Sequence, residues 1–229
     1  MKSDVNKVYT YLRGLFIGAG MHESVKALHF AREAHQGQFR KDGEPYISHP
    51  MSLAGYAVAL GIREDKVLAT ILLHDVCEDC NIPVDMLPFS YPIVEGVKYM
   101  TIKKFASDTS KVETKKRYFN ELLESREAII CKGIDRYFNL SDMPLALPDD
   151  NIGKNAAETE LLLLPTLRRA KDNYQDLYDI LFILRTNITH VNEILKLKYK
   201  EPYEKWYKIY SGETSVTDED LKGEIKDAR

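Results

Sequence analysis

Cysteine is scarce in this sequence. Among 229 residues there are three cysteines, Cys77, Cys80 and Cys131. They are too few, and odd in number, for a disulfide framework, so we expect free thiols in a reducing compartment. Cys77 and Cys80 form a CxxC pair, but no second pair follows at zinc-site spacing, and no strand precedes it as a thioredoxin-like motif requires. A redox function is therefore not expected.

A strong charge of one sign and a long apolar run are also absent. The formal net charge is −3 and the pI is about 6.1, so no global basic field attracts nucleic acid or anionic membranes. No apolar stretch approaches the roughly 18 residues of a membrane span, and the N-terminus lacks a cleavage site after an apolar run. We expect a cytoplasmic protein that holds a small-molecule ligand by local charges; the sequence leaves open whether it forms a homo-oligomer.

Alternating strand patterns are missing, whereas helical spacing is abundant. Apolar residues recur three and four positions apart in the segments 23–36, 50–60, 64–75, 93–101, 112–125, 127–138, 156–172 and 176–196. This spacing predicts an all-α fold. Glycines and prolines fall between the segments, and residues 148–154 are the clearest linker candidate.

The 44% hydrophobic content supports an ample core in one or at most two domains. We predict a single domain over residues 1–198, with a metal-binding core at about 21–143 and C-terminal helices at about 156–198. Residues 199–229 are predicted to be a peripheral extension, including a helix with its N-cap at Ser215 or Thr217.

Four residues in the first two thirds of the chain form a candidate metal-ligand set: His49, His74, Asp75 and Asp135. Imidazole suits borderline ions such as manganese, iron, cobalt and zinc, and carboxylates suit harder ions, so the mixed set favours one divalent ion such as Mn²⁺. Such an ion can polarise a phosphoryl oxygen and activate water near neutral pH. The set therefore indicates a metal-dependent phosphohydrolase.

The segment 71–79, ILLHDVCED, is interpreted as the end of an apolar helix. Positions four apart share a helix face, which places Glu78 beside His74 and Asp79 beside Asp75. Glu78 and Asp79 are then candidates to orient or deprotonate the attacking water, or to protonate a leaving group. The alternative is a solvated acidic helix end, which the preceding His-Asp pair disfavours.

Three sequence blocks together resemble a known family. They are AREAHQGQFRKDGEPYISHP at 31–50, LLHDVCED at 72–79 and KGIDRYFN at 132–139. In order and spacing they are similar to the HD-domain hydrolase of RelA/SpoT homologues, over residues 21–143 and more weakly through 158–185. The resemblance implies an HD-type helical bundle with additional C-terminal helices. It also implies a manganese-dependent enzyme of the stringent response that removes the 3′-pyrophosphate from ppGpp and pppGpp, leaving GDP or GTP.

The resemblance also implies roles for individual residues. His49, His74, Asp75 and Asp135 match the metal ligands, and Glu78 and Asp79 match the catalytic acidic pair. Four residues match positions that line the nucleotide pocket: Arg40, Lys41, Arg136 and Asn139. Two alternatives stay open, a solvated basic turn at Arg40 and Lys41 and a structural ion pair at Arg136.

The third block departs from the family pattern LADRLHNMRT, which becomes GIDRYFNLSD at 133–142. A histidine is replaced by Phe138, and a base-contacting threonine by Asp142. Metal binding does not depend on either position, so the departure bears on base preference. The added carboxylate could repel a polyphosphate or accept hydrogen bonds from a guanine edge.

The long family members follow this domain with a synthetase domain, so we expect a stand-alone hydrolase that does not synthesise alarmones. Related activities are the nearest alternatives, on the 2′-phosphate of NADPH or on ppApp. A nucleotide-sensing module without catalysis is the alternative from a different class. The acidic pair Glu78 and Asp79 argues against it, because a sensor has no need for two carboxylates beside its metal.

Overall fold

A computed structural model describes residues 4–41, 43–101 and 111–214, and within these ranges the chain is helical. The only β-pairing there is an isolated bridge between Phe39 and Pro45. The predicted all-α class is confirmed. The helices are α1 (Val5–Gly18), α2 (His22–Ala34), α3 (Ser48–Ala59), α4 (Asp65–Leu73), α5 (Val76–Asp79), α6 (Tyr91–Met100), α7 (Lys111–Glu121), α8 (Arg126–Ala146), α9 (Asp149–Glu158), α10 (Leu164–Asn173), α11 (Tyr178–Lys198) and α12 (Lys200–Ser211).

Helix α4 lies at the centre of the core. Its residues from Val67 to Leu73 are all buried, and it packs against α2, α3, α6 and α8. A helix that is apolar on every face is stable only when other helices surround it. None of the helices in the described ranges is long and apolar enough to span a membrane. The burial of α4 fixes the position of His74, which follows its last residue.

The N-terminus of α2 is held by a side chain of α4. Asp65 accepts hydrogen bonds from the backbone N–H groups of Glu23 (3.0 Å) and Ser24 (2.7 Å), and from the Ser24 hydroxyl (2.6 Å). A carboxylate at a helix N-terminus satisfies donors that have no partner within the helix and complements the helix dipole. This contact fixes α2 against α4.

Helix α8 is longer than the predicted segment 127–138. It begins after Ser125, whose hydroxyl accepts a hydrogen bond from the Ala128 N–H (3.2 Å), and it continues past Pro144 to Ala146. Leu140 and Met143 extend its buried face, so packing continues the helix through a proline that the sequence pattern treats as a breaker. Asp135, Asn139 and Asp142 consequently lie on one helix.

The interpretation of residues 148–154 as a linker is wrong, because they form most of α9. Asp149 and Asp150 occupy its first turn, where negative charge is favourable. Ile152 and Gly153 are buried, and a Cβ built on Gly153 would lie 2.4 Å from Pro202 Cβ in α12. The polar, glycine-containing sequence thus reflects close packing of two helices.

Two helices lie outside the predicted segments. Helix α1 begins after Asp4, whose side chain accepts a hydrogen bond from the Asn6 N–H (3.1 Å), and it buries Leu12 and Phe16. Helix α12 packs closely on α9 and buries Trp206 and Tyr210. The first part of the segment 199–229 is therefore a packed helix, and the predicted N-cap at Ser215 or Thr217 lies outside the described residues. The domain boundaries stay a prediction.

Candidate metal centre

Three of the four predicted ligands converge although they are far apart in sequence. His49 is in the first turn of α3, His74 follows α4, and Asp135 lies in α8. One ligand atom from each lies within 4.8 Å of the others, and all three residues are buried. His49 Nε2 is 3.4 Å from Asp135 Oδ1, and His74 Nε2 is 3.7 Å from the same oxygen.

The fourth predicted ligand, Asp75, lies beside His74 at a break between two helices but outside the group of three whose ligand atoms meet within 4.8 Å. Helix α4 ends at Leu73 and α5 begins at Val76, so the predicted single helix through residue 79 is interrupted at His74 and Asp75. The His74 ring lies with Nδ1 2.9 Å from the Ile71 carbonyl and with Nε2 2.9 Å from Asp75 Oδ2. A backbone carbonyl at one ring nitrogen leaves the other nitrogen free for a metal ion.

Unpaired buried nitrogens support a metal-binding function for this group. His49 Nδ1 and His74 Nε2 are buried without a hydrogen-bond partner in the described part of the chain. His74 Nε2 lies beside the carboxylates of Asp75 and Asp135. Buried polar atoms are nearly always paired, so the unpaired His74 Nε2 beside two carboxylates fits a divalent cation. His49 faces Asp135 through its other ring nitrogen, Nε2.

The electrostatics keep both carboxylates ionised. Burial raises the pKa of Asp135, but Lys132, His49 and His74 outweigh it and hold this pKa well below the ordinary range. Burial also raises the pKa of Asp75, yet the adjacent His74 lowers it to about 2. Burial lowers the pKa of His74, whereas the negative charge of Asp75 raises it above its ordinary value. The carboxylates therefore carry the charge that a cation requires.

Two further residues of α8 orient Asp135. The Lys132 ammonium group donates a hydrogen bond to Asp135 Oδ2 (3.0 Å), and the Asn139 amide donates to Asp135 Oδ1 (2.7 Å). Asn139 was predicted to contact the nucleotide, and the structure places it in contact with a predicted metal ligand. Lys132 was not among the residues predicted from the sequence. Its spacing of three residues before Asp135 on a helix was a usable signal.

Tyr46 was also not predicted, and it orients Asp75. Its hydroxyl donates a hydrogen bond to Asp75 Oδ2 (2.7 Å). Burial raises the Tyr46 pKa above its ordinary value, and the charges of Asp75 and Asp79 raise it further. The Tyr46 ring stacks on His35 with 4.6 Å between centroids, and His35 Nδ1 lies 2.8 Å from Gln38 Oε1. His35 is thus packed and hydrogen-bonded.

The predicted acidic pair, Glu78 and Asp79, lies in α5 directly after the ligand residues, and both side chains are exposed. Partial burial raises the pKa of Asp79, and the charge of Asp75 raises it further. The pair is thus accessible to solvent, and Asp79 lies close enough to Asp75 to be affected by its charge. This arrangement suits groups that exchange protons with water.

The predicted basic dipeptide lies in the turn before α3. Arg40 Nη2 donates to Asp142 Oδ2 at 2.6 Å, whereas Lys41 is exposed. Phe138, the other departure from the family pattern, packs against Tyr56 with 5.5 Å between ring centroids. The two departures thus have different partners, an arginine for Asp142 and an aromatic ring for Phe138.

Arg136 has a different environment from the other predicted nucleotide contacts. It is 5% exposed, and its guanidinium donates to Glu158 (2.5 Å) and to the Asn155 side chain (2.9 Å), both in α9. A buried guanidinium with these partners forms a structural ion pair inside the protein and is not available to a ligand. The structure thus supports the alternative of a structural ion pair, and not a nucleotide contact.

Comparisons with known proteins show what this chain is similar to. A family model described as HD domain matches residues 27–127. A probable guanosine-3′,5′-bis(diphosphate) 3′-pyrophosphohydrolase from Synechocystis sp. is 32% identical over 63% of this chain and 20% of the relative. The corresponding protein of Haemophilus influenzae is 32% identical over 61% of this chain and 21% of the relative. These aligned regions thus span about one fifth of the length of either relative.

A solved structure is also similar. It is that of a metazoan ortholog of SpoT that hydrolyses ppGpp, with 22% sequence identity and a TM-score of 0.48, covering 80% of this chain and 94% of the other.

Proposed function

We propose that this chain removes the 3′-pyrophosphate from ppGpp and pppGpp, as its similarity to an HD-domain family model and to guanosine-3′,5′-bis(diphosphate) 3′-pyrophosphohydrolases suggests. The products are GDP or GTP and pyrophosphate. The observation that carries this proposal is the convergence of His49, His74 and Asp135 within 4.8 Å. Residues 86 positions apart in sequence meet there with a donor set suited to a borderline divalent ion.

We propose that the site holds one divalent ion and that this ion is manganese. The proposed ligands are His49, His74, Asp75 and Asp135. A divalent ion held there would polarise a phosphoryl oxygen and activate water. Lys132, Asn139 and Tyr46 keep the two carboxylates in position by the hydrogen bonds described above. Such supporting contacts tune both the affinity for the ion and the orientation of its ligands.

The chain's own side chains supply the proton transfers in the proposed reaction. Water attacks the phosphorus nearest the ribose 3′ oxygen, the bond between that phosphorus and the 3′ oxygen breaks, and the oxygen receives a proton. We propose that Glu78 and Asp79 orient and deprotonate the water and return the proton to the leaving oxygen. Their exposure supports this assignment, since both groups must reach the substrate and solvent.

Arg40 and Lys41 are the proposed nucleotide contacts. A planar guanidinium can bind phosphate with two parallel hydrogen bonds, and an ammonium group acts as a point charge beside it. Both residues lie in the turn that precedes Tyr46 and His49. Asn139 has a proposed double role, in which it orients Asp135 and faces the nucleotide.

The test is product analysis after the full chain is offered ppGpp, pppGpp, ppApp and NADPH in parallel, with Mn²⁺ and with a chelator. We expect GDP, GTP and pyrophosphate to appear only in the presence of the metal. If only ppApp or NADPH is cleaved, the proposed phosphohydrolase chemistry is right and the proposed substrate is wrong. The Arg40–Asp142 ion pair is the observation that favours such a change, because it occupies a proposed nucleotide contact. Absence of any product would contradict a hydrolase.

A double substitution separates an enzyme from a nucleotide sensor. Glu78→Gln with Asp79→Asn should reduce turnover strongly while metal and nucleotide binding persist, because the proton-transfer groups lose their charge and the proposed ligands stay. Asp85→Asn with Asp149→Asn removes the same charge at two positions outside the site and should leave turnover unchanged. Equal turnover in the two double variants would contradict the assignment of Glu78 and Asp79.

A further inference from the structure

An ion pair joins the turn before α3 to the C-terminal half of α8. Arg40 Nη2 lies 2.6 Å from Asp142 Oδ2, and the two side chains are 22% and 46% exposed. The distance is that of a charge-assisted hydrogen bond. Because both side chains reach solvent, another anion can compete with Asp142 for the guanidinium.

The turn that carries Arg40 is fixed at both ends next to the candidate metal centre. Before it, the Gln38 amide donates to the Asp79 carbonyl (3.1 Å), and after it the Tyr46 hydroxyl donates to Asp75 (2.7 Å). The Arg40 N–H also donates to the Glu44 carbonyl (2.8 Å), which closes the turn on itself. The backbone position of Arg40 is thus set by the same residues that form the site.

Asp142 lies on the same face of α8 as the predicted metal ligand of that helix. Asp135, Asn139 and Asp142 are spaced by four and three residues, which places them on one side of the helix. Seven residues of α-helix span about 10 Å. Asp142 therefore binds Arg40 at one end of a polar row that begins at Asp135.

We propose that Asp142 is an internal competitor for Arg40 and sets the affinity of the site for polyphosphates. The inference rests on the proposed function in one respect, the assignment of Arg40 as a phosphate contact. A carboxylate and a phosphate accept the same hydrogen bonds from a guanidinium, so an incoming phosphate must displace Asp142. The displaced carboxylate then faces the bound anion and opposes it by like-charge repulsion. A more highly charged ligand is opposed more strongly.

The test measures binding and not turnover, with inorganic pyrophosphate as the probe. Calorimetric titration into the full chain, with Mn²⁺ in excess over pyrophosphate, compares the wild type with Asp142→Asn, Arg40→Ala and the double variant. Asp142→Asn should tighten binding by about threefold, the range expected for a partly exposed ion pair. In the Arg40→Ala background the same substitution should have a clearly smaller effect, because the competition for the guanidinium is gone and only the like-charge repulsion remains.

Asp149→Asn is the matched control, since it removes the same charge from an exposed position at the start of α9. Asp142→Ser repeats the test with a smaller side chain, and circular dichroism verifies the fold of each variant. Equal tightening in both backgrounds would show general repulsion and overturn the competition. If the Asp142→Asn variant binds pyrophosphate with unchanged or weaker affinity, or not detectably, the proposed competition is overturned as well.

The two proposals can fail independently. If the wild type hydrolyses none of the four nucleotides but the binding cycle gives the expected result, the proposed function is wrong and the competition for Arg40 stands. If hydrolysis occurs but the effect of Asp142→Asn does not depend on Arg40, the proposed function stands and the competition for Arg40 is wrong.

Discussion

Two buried charge clusters meet on α8 at adjacent residues, and they differ in how completely their polar atoms are paired. The ligand cluster consists of His49, His74, Asp75 and Asp135, and it contains two buried imidazole nitrogens without partners. The Glu158 cluster consists of Arg136, Glu158, Lys115 and Tyr210. No buried side-chain polar atom of its described residues lacks a partner.

The difference follows from the geometry of a helix. Successive residues point about 100° apart, so Asp135 faces α3 and the end of α4, whereas Arg136 faces α9. In the Glu158 cluster the carboxylate contacts Arg136 (2.5 Å), Lys115 (3.2 Å) and the Tyr210 hydroxyl (3.2 Å). Removing one partner of such a buried pair is costly, whereas an unpaired buried nitrogen beside carboxylates is available to a ligand.

Removing Arg136 should have the largest effect on stability. Arg136→Met leaves the buried Glu158 carboxylate with Lys115 as its remaining cation, and loss of one partner of a buried pair costs about 3 kcal/mol. We expect urea denaturation to show this loss, while KM for the folded variant stays near the wild-type value. Arg126→Met is the control on the same helix, and it should change stability much less because its partners are largely exposed. A raised KM without loss of stability would restore Arg136 as a nucleotide contact.

Removing an imidazole from the ligand cluster should act on activity instead. His74→Gln deletes a proposed ligand, and we expect kcat/KM to fall by more than about 100-fold, beyond the loss for residues that merely support ligands. Bound metal, measured by mass spectrometry after dialysis, should fall in parallel. His29→Gln makes the same change at an exposed histidine and should alter neither quantity. Wild-type activity and metal content in His74→Gln would refute the ligand cluster.

A smaller effect is expected where a residue supports a ligand. Tyr46→Phe removes the hydrogen bond to Asp75 and should weaken Mn²⁺ binding by about tenfold, as for other residues that orient metal ligands. Tyr174→Phe, which loses a hydrogen bond to the Leu123 carbonyl (2.9 Å), is the control away from the site. Both variants lose one hydrogen bond, so equal Mn²⁺ affinities in calorimetry would mean that Tyr46 has no specific role at the metal.

The ligand cluster was more predictable from sequence than the Glu158 cluster, and the reason is physical. The histidines and aspartates of the ligand cluster lie in sequence motifs that resemble a known family. Such motifs can be recognised one by one, even when the residues are far apart in the chain. The role of Arg136 depends on Glu158, whose helix α9 begins within the segment interpreted as a linker. The pair between Arg40 and Asp142 joins residues 102 positions apart, which no local pattern reports.

The helices show the same limit. Apolar periodicity predicted the buried α4 well, because every side chain from Val67 to Leu73 contributes to the core. It did not predict α9, where a glycine and polar residues allow close contact with α12, or the break at His74 and Asp75. Periodicity measures the burial of large apolar side chains, and these features depend on small residues and on side-chain hydrogen bonds.

The Glu158 cluster also predicts a dependence of stability on pH, since Lys115, Arg136 and Lys132 lower the pKa of Glu158 against the effect of burial. A carboxyl group with a lowered native pKa stabilises the fold above its unfolded pKa of about 4.3 and loses this contribution as the pH falls toward the native value. The free-energy difference between wild type and Glu158→Gln should thus be constant from pH 7 to 5. It should then shrink by about 1 kcal/mol between pH 4 and pH 3.

Urea denaturation of both proteins at pH 7, 5, 4 and 3 measures this difference, in which the titration of all other carboxyl groups cancels. Glu193→Gln, which removes an exposed carboxylate that pairs with Lys196 on the surface, is the control and should follow the wild type at every pH. The native Glu158 carboxylate is held by cations from α7 and α8 and by the Tyr210 hydroxyl from α12. A difference that stays constant down to pH 3 would mean that these contacts do not hold the charge of Glu158, and the contrast between a paired structural cluster and an incompletely paired ligand cluster would then fail.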